Sequence, residues 1–352
     1  MPDATIPSLS IVIPAFDSAP WLPSTFAALA EAITVARAEI EVIVVDDGST
    51  DDTAGTACSL AESFPAPVSV ITQPNGGRFL ARFAGLEAAH ARHVLFLDSR
   101  VLVDATTIRH VLAALEADGA PRAWNAYVRT DSAAPLVGLF WEVPTHVFWG
   151  RFLRSPRPFD LTPETFDQAP KGTTMFLGER DLLLDAFNAT WPEGDARLVS
   201  DDTKLLRWIA AHAPIRLDPE FSATYRPRTT LASFVRHTFD RGTLFVDSYA
   251  GTTRLRSVVL VLLALAPVAL LAGGALLLAR GARGAVAVGL GLSAAAILAP
   301  VVLAARNRAP ARGILAYVAC LPVFVVPFWL GLVRGTILHR ASFTPKRDEE
   351  SA

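Results

Sequence analysis

Three stretches in the C-terminal third, 257–279 (SVVLVLLALAPVALLAGGALLLA), 285–305 and 313–333, contain no Asp, Glu, Lys or Arg. No other feature of the 352 residues restricts the fold as strongly. A helix of about 20 apolar residues crosses the hydrocarbon of a bilayer, so each run is expected to be a membrane span. Three buried core helices are the alternative. Pro267, Pro300, Pro322 and Pro327 fall inside the runs, which packed membrane helices tolerate.

Charge divides the chain at the same place. Of 32 Lys and Arg, 11 lie in 251–352, against 3 of the 34 Asp and Glu, so the front is acidic and the tail basic. An acidic front argues against a nucleic-acid partner, because phosphate neutralisation needs clustered cations. The start, MPDATIPSLSIVIPAF, has no charged segment followed by a long apolar run. No secretion signal is therefore expected, and the front should stay in the cytoplasm. Arg254 and Arg256 before the first run agree with the excess of positive charge on that side. With three full spans, Arg306, Arg308 and Arg312 would also be cytoplasmic, and Arg280 and Arg283 would not. Cys58 and Cys320 fall on either side of the division, so no disulfide is expected.

In the front, four apolar and β-branched runs, LSIVIPAF (9–16), IEVIVVDD (40–47), VSVITQ (68–73) and HVLFLD (93–98), alternate with Ala-rich segments of helical spacing. Continuous apolar strands separated by helices mean βαβ units and a mostly parallel sheet covered on both faces. Ligands bind at the carboxyl ends of such strands. Asp17 follows the first run, Asp46 and Asp47 end the second, and Asp98 ends the fourth. Ser49 and Asp51 read as helix N-caps. No GxGxxG, GxxxxGK[ST] or GxSxG follows these strands, and the seven histidines have no metal-ligand spacing.

The segments SIVIPAFDSAPWL, VIVVDDGSTDDT, NGGRFLARFAGLEAA and FLDSR, in that order, resemble family 2 glycosyltransferases of GT-A fold. The likeness is close over roughly 8–110 and looser to about 250. It implies an α/β GT-A domain over 1–250, with a nucleotide-binding half (8–110) and an acceptor half (111–250). A membrane part over 251–340 and a polar tail, 341–352, would follow. By this resemblance Pro14, Ala15, Phe16 and Asp17 cradle the nucleotide base, and Asp46 and Asp47 bind uracil or ribose. Gly77 and Arg82 lie near the nucleotide, and Phe83 stands where the family usually has Asn. Asp98-Ser99-Arg100 occupies the place of the DxD motif, whose last Asp commonly holds the Mg²⁺ or Mn²⁺ that bridges the donor's phosphates. Here that position is an arginine. Arg100 either takes the cation's place by forked hydrogen bonds to phosphate, or a metal binds through Asp98 and water, or Arg100 pairs with Asp98 in a decayed site.

Further on, QAPKGTTMFLGERDLLLDAF (168–187) and LVSDDTKLLRWIAAH (198–212) are similar to the acceptor half. Asp201 and Asp202 take the place of the family's Glu-Asp pair, with Asp202 as general base and Asp201 orienting it, and Arg207 recurs beyond them. A plain N-cap at Ser200 or Asp201 is the alternative. FVRHTFDRGTLFVDSY (234–249) lacks the QxxRW of processive members; Arg236, His237 and Arg241 there are expected to contact diphosphate or an acceptor phosphate, or else anionic headgroups. The aromatic stretch 139–159, with Trp141 and Trp149, is an interfacial helix or domain packing. Together these features imply an inverting enzyme that transfers a sugar from a nucleotide sugar to a membrane-lipid or lipid-linked acceptor, a polyprenyl phosphate or glycolipid. The alternative is an inactive relative that binds a nucleotide sugar or a partner enzyme.

Overall fold

The computed structural model describes residues 7–200 and 202–343; Asp201 lies outside the described residues. In chain order the elements are β1 (Leu9–Ala15), α1 (Leu22–Ala36), β2 (Ile40–Asp46), α2 (Thr53–Ala61), β3 (Val68–Thr72), α3 (Arg78–Ala88), β4 (His93–Leu97) and β5 (Val101–Val103). Next come α4 (Thr107–Leu115), β6 (Ala123–Thr130), α5 (Glu142–Leu153), β7 (Phe159–Leu161), β8 (Met175–Glu179), α6 (Arg180–Ala189), α7 (Thr203–His212) and β9 (Ile215–Tyr225). The chain ends in α8 (Leu231–Tyr249), α9 (Arg254–Ala279), α10 (Arg283–Arg306) and α11 (Ala311–Leu338).

Two compact units arise from these elements. One comprises the chain up to 133 together with 151–227, the other 134–150 with the chain from 228 onward. The first is a sheet in the order β3-β2-β1-β4-β8-β6-β9-β5, with β7 also on β9. β1 to β4 run parallel, as their continuous apolar runs require, and β8 joins β4 antiparallel. Side chains alternate strictly between the two faces. On β1, Leu9, Ile11 and Ile13 join one core with α1 and α4, and Val12 joins the other with α3, α6 and α7. β4 divides likewise, with Leu95 and Leu97 to the first core and Val94 and Phe96 to the second. This is the expected GT-A-like sandwich. The half beyond β4 is mixed: the 11-residue β9 pairs in parallel with β6 and antiparallel with β7 and β5, with a register shift at Ala126/Tyr127.

In the second unit α9, α10 and α11, of 26, 24 and 28 residues, are each long and apolar enough to cross a membrane. They leave large apolar side chains exposed, Leu255 at 74% and Leu271 at 77%. Such a surface suits lipid and is unfavourable in water. α8 lies backbone to backbone against α11. A Cβ at Gly331 would come 1.9 Å from the Phe239 carbonyl oxygen, and one at Gly242 2.2 Å from that of Phe328. Thr243 Oγ1 donates to the Gly331 carbonyl at 3.0 Å. Small residues thus let the two helices approach closely, as membrane helix pairs do. The aromatic stretch divides at a kink at Trp149. Its first part packs within the second unit, where Phe140 stacks on Tyr317 and Phe324.

Gly331→Leu is expected to destabilise the full chain in detergent, since overpacking a filled contact costs about 1–3 kcal/mol or more. Gly273→Leu, where a Cβ meets nothing within 4 Å, should leave the melting temperature unchanged.

Candidate active site

At the carboxyl ends of β1 and β2 the chain folds into two interlocked loops. Asp17 takes a left-handed φ of 46°, which Asp tolerates better than most residues. Its Oδ1 accepts from Thr50 N at 2.8 Å and Thr50 Oγ1 at 3.0 Å, and its own N–H donates to Ser49 Oγ at 3.0 Å. Ser49 also donates its hydroxyl and its N–H to Asp46 Oδ1. Pro14 and Ala15 are buried at the end of β1, and Phe16 is 46% exposed, offering an apolar face above the sheet edge. Ser49 and Asp51 are not helix N-caps. α2 begins at Thr53 after Asp52, and Asp51 instead accepts from Ala19 N and Thr53 N, each at 3.1 Å. The two residues join loops rather than start a helix.

Asp47 organises the entry to α3. It accepts from Gln73 Nε2 at 2.7 Å, Gly76 N at 2.9 Å and Gly77 N at 2.8 Å. These donors occupy both oxygens, whereas the Asp46 carboxylate bonds only Ser49 among the described residues. Gly77 has φ 88°, and a Cβ there would come 2.9 Å from Arg197 Cα. Arg197 forks onto Asp195 at 2.6–3.1 Å; these hydrogen bonds hold the Asp195 carboxyl at about 2. Between this loop and α3 lies a cleft of about 370 Å³ lined by Asn75, Gly76, Leu80, Trp191 and Arg197. Phe83, standing in the family's Asn position, packs edge-on against Trp191 instead of hydrogen-bonding.

The Asp98-Ser99-Arg100 turn joins β4 to β5. Asp98 pairs with Arg82 at 2.6 Å, and Arg82 is 1% exposed. The alternative in which Arg100 pairs with Asp98 does not hold: Asp98 goes to Arg82 and Arg100 to Trp21. Ser99 Oγ lies 2.8 Å from Ser18 Oγ. The Arg100 guanidinium lies over the Trp21 ring at 4.4 Å, and its Nη1 is buried with no hydrogen-bond partner among the described residues. These residues do not fit a divalent cation. Asp98 is held by a buried guanidinium and a second guanidinium stands where the other acid would be. No three His, Cys, Asp or Glu side chains gather as metal ligands among the described residues.

On the acceptor side Asp202 precedes α7. Its Oδ1 accepts from Ser200 Oγ and Thr203 Oγ1, each at 2.9 Å, and Oδ2 lies 3.9 Å from where a Cβ on Gly172 would sit. Thr174, two residues on, accepts from Asp98 N at 2.9 Å through its carbonyl. The segment 172–174 therefore bonds the Asp98 turn at one end and passes near Asp202 at the other. Lys171, 9% exposed, lies 4.2 Å over Phe166 and 3.6 Å from Asp167, and Arg207 covers the same ring at 4.9 Å. Burial lowers the Lys171 ammonium to about 8, against the opposing pull of Asp167. In the second unit Arg241 lies over Trp141 at 5.9 Å and donates through Nε to His237 Nε2 at 3.4 Å, and Arg236 is exposed. Sequence reasoning assigned nothing to Trp21, Lys171 or Arg226. Trp21 and Lys171 stand inside quoted motifs; Arg226 carries no local signal at all.

Residues 10–175 match glycosyl transferase family 2. Over 118 residues the chain is 37% identical to a validoxylamine A glucosyltransferase of Streptomyces hygroscopicus, covering 32% of this chain and 27% of that protein. Over 92 residues it is 35% identical to an undecaprenyl-phosphate 4-deoxy-4-formamido-L-arabinose transferase of Pseudomonas fluorescens, covering 26% and 27%. The matches span about a quarter of the length of these curated relatives. Among solved structures, the mannosyltransferase PcManGT from Pyrobaculum calidifontis, in complex with GDP-Man and Mn²⁺, superposes with a TM-score of 0.49 at 15% identity. That superposition covers 96% of this chain and 87% of the other.

The lowered Lys171 sets a pH signature. Its charged form is penalised only in the folded state, so between about pH 8 and the ordinary lysine value of 10.5 the unfolded chain binds more protons. Its contribution to stability must rise with pH across that window and be flat on either side. Thermal melts of the wild type and Lys171→Met from pH 7 to 11 should converge or cross with that sign; parallel curves would contradict the assignment.

Proposed function

We propose that this chain, whose residues 10–175 match glycosyl transferase family 2, moves a sugar, with inversion, from a nucleotide-sugar donor to a lipid-linked acceptor at the cytoplasmic face of a membrane. One observation carries this reading. The segment 172–174 accepts from Asp98 N through Thr174 and passes near Asp202 at Gly172, which supports a donor-phosphate end and an acceptor acid on one edge of the sheet.

In this account the base stacks at Phe16 and the ribose or base N–H donates to Asp46, with Asp47 and Gly77 holding the loop beneath it. An acceptor hydroxyl oxygen attacks the anomeric carbon as the bond from that carbon to the diphosphate oxygen breaks on the opposite face. Asp202 Oδ2 takes the hydroxyl proton. The nucleoside diphosphate leaves with the bonding electron pair, and the guanidinium of Arg100 bears its charge. Within the second unit, Arg236, His237 and Arg241 supply positive charge toward acceptor phosphate or headgroups, and α9 to α11 hold the chain in the bilayer.

A hydroxyl on a lipid-linked glycan gives Asp202 a proton to remove. A polyprenyl phosphate is the second reading. An ionised phosphate oxygen needs no base, and Lys171 and Arg207, both packed on Phe166 beside Asp202, favour it by charge.

Full-length protein in membranes, assayed with a panel of nucleotide sugars and both acceptor types, tests the scheme. Asp202→Asn should lower transfer to a hydroxyl acceptor by roughly 10²–10⁴-fold while nucleoside diphosphate affinity stays unchanged. Undiminished transfer by that variant to a hydroxyl acceptor would contradict the base assignment. Undiminished transfer to a phosphate acceptor alone would establish the second reading.

A further inference from the structure

Arg226, one residue beyond β9, reaches back across the sheet edge to the turn that carries Arg100. Its N–H donates to the Arg100 carbonyl at 3.0 Å and its Nε to the same oxygen at 3.4 Å. Its Nη2 donates to the Trp21 carbonyl at 2.9 Å and to Thr25 Oγ1 at 2.6 Å, and Thr25 Oγ1 donates in turn to the Ser99 carbonyl at 2.7 Å. One guanidinium thereby ties the two residues of the turn, 99 and 100, to the first turn of α1. Two cations lie near the Trp21 ring, Arg100 at 4.4 Å and Arg226 at 5.3 Å from its centroid.

This arrangement is unfavourable without an anion. Like charges held close in a half-buried setting repel, and neither guanidinium forms an ion pair among the described residues. Burial first, and the charge of Arg100 second, push Arg226 below the ordinary arginine value, with Asp131 opposing in part. Stacking on Trp21 offsets some of the repulsion, and the buried, unbonded Nη1 of Arg100 still lacks an acceptor.

We infer that Arg226 is a positioning residue: by fixing the 98–100 turn against Trp21 and Thr25 it holds the Arg100 guanidinium ready for the diphosphate of the donor. The inference rests on the proposed donor site. The Arg226 guanidinium donates to the carbonyls of Arg100 and Trp21 and to Thr25, so in this account its effect passes through Arg100. A double-mutant cycle separates that from a merely structural role, because residues acting through one another are non-additive.

The test measures UDP and GDP affinity of the full chain in detergent with EDTA, for wild type, Arg100→Ala, Arg226→Gln and the double variant. A charge-assisted contact to phosphate corresponds to roughly a tenfold or greater loss for Arg100→Ala. Arg226→Gln should lose a comparable factor in the wild-type background and nothing further once Arg100 is absent. Thr25→Val, which removes the hydroxyl between Arg226 and Ser99 with little change in shape, should reproduce part of the loss and serves if Arg226→Gln fails to fold. Equal losses from Arg226→Gln in both backgrounds, or none in either, would overturn the positioning role and leave the donor site standing. Wild-type protein that binds neither nucleotide, with or without Mg²⁺ or Mn²⁺, would overturn the donor site and this inference with it.

Discussion

The ion pair between Arg82 and Asp98 decides what the rest of the site can do. A guanidinium 1% exposed inside α3 needs a carboxylate, because a buried charge left unpaired destabilises a fold by several kcal/mol. Asp98, the first residue of the turn that stands in place of the DxD motif, supplies it from the end of β4. Once Asp98 is drawn inward, the following turn delivers Arg100 outward to Trp21. In the proposed donor site, the sheet edge then presents fixed cations to the donor instead of acids that recruit a mobile one. Forked guanidinium contacts are directional and permanent, which suits a leaving group whose charge grows as the glycosidic bond breaks.

The loops that complete the edge are built from mutual satisfaction of polar groups. Asp17 with Thr50, Asp46 with Ser49, and Asp47 with Gln73, Gly76 and Gly77 lock three strand ends into one surface before any ligand arrives. Pre-formed loops reduce the ordering entropy lost on binding. In the second unit the same economy of motion comes from glycine: Gly242 and Gly331 let α8 lie on α11 with their backbones in contact, so the charged face of α8 is held by an apolar helix.

The parallel half of the sheet and the three apolar helices were legible because their signal is local. Strands buried on both faces read as unbroken apolar runs, and a charge-free run of span length has few other uses. The mixed half was not legible, since β9 finds three partners from distant segments and its alternation is broken by a register shift. The partner of Asp98 was missed for a related reason. Proximity in sequence suggested Arg100, two residues away, but a tight turn separates those side chains, whereas Arg82 comes from the helix that packs beneath the strand. Arg226 lies 126 residues from the turn it supports, and no pattern in its neighbourhood announces such a contact. The aromatic stretch 139–159 carries a kink at Trp149, and Phe140 at its start packs on Tyr317 and Phe324 of α11, contacts that its sequence alone does not specify.

The central claim is that a guanidinium does the work usually given to a divalent cation. Turnover of a nucleotide sugar by membranes containing the full chain, measured with and without EDTA, addresses it directly. The account predicts one donor whose turnover survives EDTA and is lost on Arg100→Ala. Turnover abolished by EDTA and restored by Mg²⁺ or Mn²⁺ would contradict it, and would mean that Asp98 gives up Arg82 to hold a metal.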